Sequence, residues 1–191
     1  MLDGCQLVVK NWLLTGRPGV GKTTIVRSLL PLLKGKLGGF FTEEIREEEK
    51  RVGFRLRELG GGEDILAHTS FSSPFRVGRY GVRIKTMEEI GVPALERAIA
   101  QADWVVIDEI GRMELFCPAF RERILWALNS PKPVLGVLQE RASSLFPGIE
   151  EREDTRILRV TRENRDQLGE AILEDLVRSF PQWVKLGSGR G

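Results

Sequence analysis

The chain has little of what builds metal clusters or covalent staples: two cysteines, Cys5 and Cys117, and a single histidine, His68, among 191 residues. The cysteines stand far apart with no cysteine or histidine at ligand spacing beside them, which excludes a structural zinc site. One imidazole excludes every site that needs two, and His68 reads as an ordinary surface or strand residue. No run approaches the roughly 18 apolar residues of a membrane span, and the first residues lack the basic-then-apolar layout of a secretory leader. No membrane partner is expected, and a reducing, cytoplasmic compartment follows. An excess of one charge is missing too: 29 Lys+Arg face 27 Asp+Glu, a formal +2, with the arginines scattered. Without a basic stripe or stacking aromatics, nucleic acid is not an expected partner.

What is present is an ordinary globular composition, 41% apolar and 29% charged, in a chain long enough for one domain with an unstapled core. Residues 1–191 therefore read as a single domain without linker or internal repeat, ending in a glycine-rich tail, 187–191, expected to fray. The stretch that organises the rest is Gly16-Arg17-Pro18-Gly19-Val20-Gly21-Lys22-Thr23-Thr24, set between an apolar run and an apolar-periodic one. The spacing G-x-x-x-x-G-K-[ST] lets a loop fold back so that successive backbone N–H groups converge on one anion. Lys22 then neutralises the β- and γ-phosphates of a nucleotide, and the Thr23 hydroxyl takes one position on Mg²⁺. The helix that starts near Lys22 adds its free N–H groups and positive dipole end.

The patterning around this loop predicts an α/β fold of the P-loop NTPase kind, a mostly parallel sheet flanked by helices. Leu7–Leu14 is the first strand and Lys22–Leu33 the first helix, with Pro31 expected to kink it or to end its regular hydrogen bonding about one turn earlier. Gly39–Arg46 reads as a second parallel strand carrying Thr42, Glu43 and Glu44 to a crevice, or equally as the start of a solvated loop. Residues 52–85 alternate with period two between glycines and read as an antiparallel insertion on the edge of the core. Thr86 with Glu89 looks like a capping box opening a helix that runs to Gln101, with Gly91 and Pro93 breaking its first turns. Trp104–Ile107 is a buried strand, Pro118–Leu128 a helix, Pro133–Leu138 and Ile157–Val160 strands. Asn164–Phe180 is amphipathic, with Leu168, Ile172, Leu176 and Phe180 in step.

A second signal follows the strand at 104–107. Four apolar residues bury it, so that Asp108 emerges beside the phosphate loop, where it can hold Mg²⁺ through water, and Glu109 is placed to orient and deprotonate a water attacking the γ-phosphorus. Gly111 and Arg112 come next, and Arg112 is a candidate internal arginine finger, though a lone arginine is more often a surface ion-pair partner. Arg17 is a similar candidate for a phosphate contact. The loop Thr161–Asp166 lies at the same end of the sheet if all strands are parallel, which makes Asn164 and Arg165 candidates for the wall of a base pocket; helix capping by Thr161 or Asn164 explains them equally well.

Taken in order, Thr15–Thr24, Gly39-Phe-Phe-Thr-Glu-Glu44, Arg76-Val-Gly-Arg-Tyr80, the Asp108-Glu-Ile-Gly-Arg-Met-Glu-Leu115 block and Thr161-Arg-Glu-Asn-Arg-Asp166 resemble the small nucleoside triphosphatases of thermophilic archaea and bacteria, relatives of the vertebrate cancer-related nucleoside triphosphatase. The resemblance spans about residues 13–176. It implies a single-domain P-loop fold akin to nucleotide kinases that hydrolyses ATP, GTP and other nucleoside triphosphates to diphosphate and phosphate with Mg²⁺, slowly and with little base preference. By position it implies Gly16–Thr24 as the phosphate cradle, Asp108 on the metal side and Glu109 as the catalytic acid residue. Two other readings share the core: a nucleotide or small-molecule kinase, for which Phe41–Arg46 would grip the acceptor and Arg141, Arg152 and Arg156 form a lid, and a nucleotide-gated binding module. The oligomeric state is open, a monomer included.

Overall fold

The computed structural model describes residues 8–140 and 146–185. The expectations for Met1–Gln6, Cys5, Leu7, Arg141 and the tail 187–191 lie outside these residues. Within them the chain runs β1 (Asn11–Thr15), α1 (Lys22–Leu29), β2 (Leu37–Glu47), β3 (Lys50–Glu58), β4 (Glu63–His68), β5 (Arg76–Val77), β6 (Tyr80–Val82), α2 (Ile84–Thr86), α3 (Val92–Gln101), β7 (Trp104–Ile110), α4 (Pro118–Asn129), β8 (Val134–Leu138), β9 (Thr155–Arg159) and α5 (Arg165–Ser179).

The strands form one sheet in the order β5-β6-β4-β3-β2-β7-β8-β1-β9. From β2 to β9 neighbours are parallel, while β2 to β6 pair antiparallel and extend the sheet as a wing. Parallel strands are covered on both faces, and alternate residues divide accordingly. Trp12, Leu14, Trp104 and Val106 face a cluster with Ile25 and Leu29 of α1 and Ile172 and Leu176 of α5. Leu13, Phe40, Val105 and Ile107 face the opposite one with Leu95 of α3 and Phe120 and Ile124 of α4. Leu168 and Phe180 complete the expected apolar stripe of α5 at the margin of its cluster.

Three elements depart from the sequence-based expectation. The first strand is Asn11–Thr15, not a run from Leu7, because its neighbours β8 and β9 begin only opposite Asn11; just before it the Lys10 ammonium binds Asp154 at 3.1 Å. Thr86 caps nothing. It lies inside a continuous helical run in which a π turn, Met87–Gly91, joins α2 to α3, and its hydroxyl sits 2.8 Å from Asp64 Oδ2 and 3.0 Å from Ile65 O. Gly91 and Pro93 do not break the helix either: the Val92 N–H bonds back five residues to Met87 O, and this π turn takes up the irregularity where Pro93, which has no N–H to give, enters α3. Pro31 acts as its chemistry requires: α1 stops at Leu29 and continues as a 3-10 turn, Leu30–Leu32.

Candidate active site

The parallel strands all point their C-terminal ends toward the glycine loop. Gly16 and Gly21 have φ of 139° and 113°, and a Cβ on Gly16 would stand 2.5 Å from Val160 O at the end of β9. Bare backbone is required on that side of the loop. No side chain caps α1, so its first-turn N–H groups are left for an anion. Lys22, 8% exposed, folds back across the loop and donates from Nζ to Gly16 O at 2.9 Å and Arg17 O at 3.1 Å. An ammonium has three protons, so one is left to meet a further acceptor.

Two strands away in the sheet, β7 ends in the acid pair. Asp108 is 1% exposed; Oδ1 accepts from the Thr23 hydroxyl at 3.2 Å, and Oδ2 is buried with no hydrogen-bond partner among the described residues. Burial pushes the Asp108 carboxyl up to about 7 and the neighbouring Glu109 charge adds to the shift, against the Thr23 hydrogen bond and the charges of Arg27 and Lys22. Glu109 is raised as well, by burial, with Lys22 opposing. A buried, orphaned carboxylate oxygen is costly unless something arrives to pair it. The donor set, one hydroxyl and one carboxylate, suits a hard divalent cation. No cluster of three or more His, Cys, Asp or Glu among the described residues forms an all-protein cage, and a Mg²⁺ that arrives with phosphate needs only one or two protein oxygens.

Against known proteins, a family model described as NTPase matches residues 11–173. The chain is 46% identical over 164 residues to the nucleoside-triphosphatase THEP1 of Thermotoga maritima, covering 86% of this chain and 94% of that protein. It is likewise 46% identical over 176 residues to the THEP1 of Thermofilum pendens, covering 89% and 97%. The chain belongs to the NTPase family. Among solved structures, the crystal structure of THEP1 from Aquifex aeolicus superposes with a TM-score of 0.77 at 36% identity over 86% of this chain and 97% of that one. The solution structure of the human cancer-related nucleoside triphosphatase gives 0.71 at 31% identity over 89% and 98%. The mixed sheet with its parallel core is thus a P-loop NTPase fold.

Around this core of the candidate site the other expected residues divide. Arg165 lies against the loop, its Cδ 3.9 Å from where a Cβ on Gly21 would be. Asn164 turns back on its own loop: Oδ1 accepts from the Thr161 N–H at 2.8 Å and Nδ2 donates to Arg159 O at 2.9 Å. Arg17, Pro18, Gly19 and Thr24 are exposed on the loop and Val20 is buried. Arg112 is exposed; its N–H donates to Gln139 Oε1 at 3.0 Å. Of the residues expected at a crevice, Glu43 is bound by Arg27 at 2.6 Å and Glu44 by Arg51 and Arg46, each at 2.7 Å. The Thr42 hydroxyl is buried without a hydrogen-bond partner among the described residues.

Two features of this candidate site escaped the sequence reading. Arg27, four residues after Thr23 on α1, stacks 4.7 Å above the Phe41 ring and lends positive charge to Asp108; the i, i+4 spacing was a usable signal. Glu114, 4% exposed, carries a carboxyl that burial and then the charge of Glu109 push up to about 8. Its position inside the 108–115 block was visible, but its burial was not.

Proposed function

We propose that the chain acts as one P-loop domain that hydrolyses nucleoside triphosphates with Mg²⁺, water being the acceptor of the γ-phosphoryl group. As a member of the NTPase family it is a nucleoside-triphosphate hydrolase; the proposal concerns how its residues do this, and that ATP, GTP and other triphosphates serve with little base preference and slow turnover. The observation that carries it is the unpartnered Oδ2 of Asp108, buried beside a Thr23 hydroxyl already aimed at the other oxygen. In this reading the loop amides of Gly16–Thr24 and the Lys22 ammonium hold the phosphate chain, which lowers the charge an incoming nucleophile must approach. Thr23 and Asp108 are the residues that would hold Mg²⁺, and what it would supply there is neutralisation of the phosphate oxygens. Glu109 accepts a proton from water and aligns it with the phosphorus. Arg165 is the better placed of the outer candidates to touch a nucleotide. Gly111 supplies a turn without a side chain, and Arg112, pointing to solvent, serves as a finger only by swinging inward.

The kinase alternative is weakened by particulars. Glu43 and Glu44 are already neutralised by arginines of this chain, Arg152 is spent on Asp154 and the Leu128 carbonyl, and Arg156 on Asp175. The test is phosphate release from a panel of triphosphates, with Mg²⁺ or with a chelator, and with or without phosphoryl acceptors. Metal-dependent release that ignores acceptors is expected. Consumption that requires an acceptor would turn the assignment to a kinase.

A further inference from the structure

Arg27 has a place in the fold that no step of the proposed hydrolysis uses. It lies four residues after Thr23 on α1, so the two side chains share one helix face. Long side chains on a helix lean toward its N-terminus, over the turn before their own; for Arg27 that turn holds Thr23, whose hydroxyl sits 3.2 Å from Asp108 Oδ1. The facing strand brings the guanidinium to the same level, because Phe41 of β2 is in register with Asp108 of β7 and the Arg27 guanidinium stands 4.7 Å above the Phe41 ring. Among the described residues that guanidinium makes one hydrogen bond, to Glu43, two residues on in β2, at 2.6 Å. Most of its N–H donors are therefore left for other acceptors. The hold is loose, with the Arg27 side chain 44% and the Glu43 side chain 31% exposed, and exposed pairs of this kind contribute little. Beside the pair a cavity of about 390 Å³, bordered by Leu30, Phe41, Arg57 and Leu59, leaves the guanidinium room to turn.

We infer that Arg27 is an arginine finger supplied by the chain itself, which leaves Glu43 for the γ-phosphoryl group as that group passes to water, and that Glu43 is the latch that holds it back. This rests on the reading of the glycine loop and the Thr23–Asp108 pair as the phosphate side of the site. In the transfer, the bond from phosphorus to the bridging oxygen breaks as the bond to the water oxygen forms. The water proton goes to Glu109 and the electron pair stays on the departing diphosphate; Arg27 forms no covalent bond. Charge spreads meanwhile over the phosphoryl oxygens, and a planar guanidinium meets two of them with parallel N–H groups. The single charge of Glu43 competes poorly with that build-up, so the exchange is favoured most in the transition state, where a stronger interaction speeds the reaction. The released Glu43 carboxylate is partly exposed and keeps its charge against water. Arg112 must swing inward from solvent to do the same work, whereas Arg27 starts on the helix that carries Thr23.

The experiment compares Arg27→Ala, Arg27→Lys and Glu43→Gln with wild type by kcat, by triphosphate binding, and by binding of diphosphate together with aluminium fluoride, a mimic of the transferring phosphoryl group. Arg27→Ala should lower kcat by about 10²- to 10³-fold, the span of one lost transition-state donor, and weaken the diphosphate–fluoride complex while triphosphate binding is kept. Arg27→Lys keeps the ion pair with Glu43 but not the two-pronged donor, so it should lose part of both; it keeps the question answerable should Arg27→Ala not fold. Glu43→Gln frees the finger, so kcat should rise. A pair that only fastened α1 to β2 would respond alike to loss of either partner. Equal losses of kcat in Arg27→Ala and Glu43→Gln therefore overturn the inference, as does Arg27→Ala with wild-type kcat and wild-type affinity for the fluoride complex. Lys22→Ala is the control on the parent reading. If it turns over normally, the glycine-loop assignment fails first; if it is inactive while Arg27→Ala is not slowed, the loop stands and only the finger is lost.

Discussion

The acids of the antiparallel wing and the acids at the end of β7 are handled in opposite ways by the same chain. In the wing Glu44 lies between Arg51 and Arg46, and Asp64 faces Arg83 and the Thr86 hydroxyl. Partial burial works against their charge, yet these donors hold both carboxyl groups below their ordinary values. At the β7 end the acids are deeper, Asp108 1% and Glu114 4% exposed, and they are raised. Exposed ion pairs contribute only about 0–1 kcal/mol each, whereas a buried charge left without its partner costs about 3–5 kcal/mol. The wing therefore tolerates its charges as surface, while the β7 end holds an Asp108 oxygen with no partner among the described residues. In the function proposed above, a triphosphate with its Mg²⁺ would be that partner.

Removing charges from the β7 end and its facing loop should cost function, and the largest loss is expected at Lys22. Lys22→Ala should abolish phosphate release, and unchanged turnover would detach the glycine loop from the chemistry. Glu109→Gln comes next, with turnover down about 10² to 10⁴-fold, the usual span of general-base work, and Mg²⁺-nucleotide binding kept. If binding and turnover fell together, Glu109 would be structural and the contrast between the two regions would lose its functional meaning.

Stability should separate the regions by sign. The Glu114 carboxyl ionises near 4.5 in an unfolded chain and at about 8 in the folded one. Between those values the native state holds the extra proton, so the stability it confers is complete below about 4.5 and is lost as pH rises through about 8. Denaturant melts of nucleotide-free protein should thus show Glu114→Gln with a flatter decline across that window than wild type, and more stable at its alkaline end. An identical pH slope in the two proteins would mean that Glu114 is not held neutral. The smallest effect is expected in the wing: Glu44→Gln should cost about 0–1 kcal/mol and leave turnover alone. A large loss of turnover there would make the wing part of the site and revive an acceptor role for the segment around Glu43 and Glu44.

Much of the fold could be read in advance because its signals are local. Apolar runs such as Trp104–Ile107 bury a strand wherever they stand, the period-two alternation of Val52, Phe54 and Leu56 marks an exposed sheet, and Pro31 ends a helix by lacking an N–H. The errors fall where a neighbour decides. Thr86 and Glu89 have the spacing of a capping box, but Asp64, 22 residues earlier, takes the hydroxyl and the helix runs through. Lys10 looks like an interruption in a strand, yet it marks the strand's edge because Asp154 stands opposite. Asn164, for which a base pocket and helix capping stood equally open, takes the second role: its Oδ1 accepts from the Thr161 N–H while its own N–H donates to the Thr161 hydroxyl at 3.3 Å, a reciprocal pair at the entry to α5.

By itself the sequence determined the glycine loop, the lysine and threonine that follow it and the Asp-Glu pair after an apolar run, because anion binding by backbone amides depends on spacing along the chain, and spacing is what a sequence records. Only the tertiary structure decided which charges meet. That Asp108 is left with a bare oxygen while Glu44 is saturated by arginines depends on strands and turns far apart in the chain folding to within a few ångströms. Electrostatic energy at that range is set by burial and distance, and neither is written in the order of the residues.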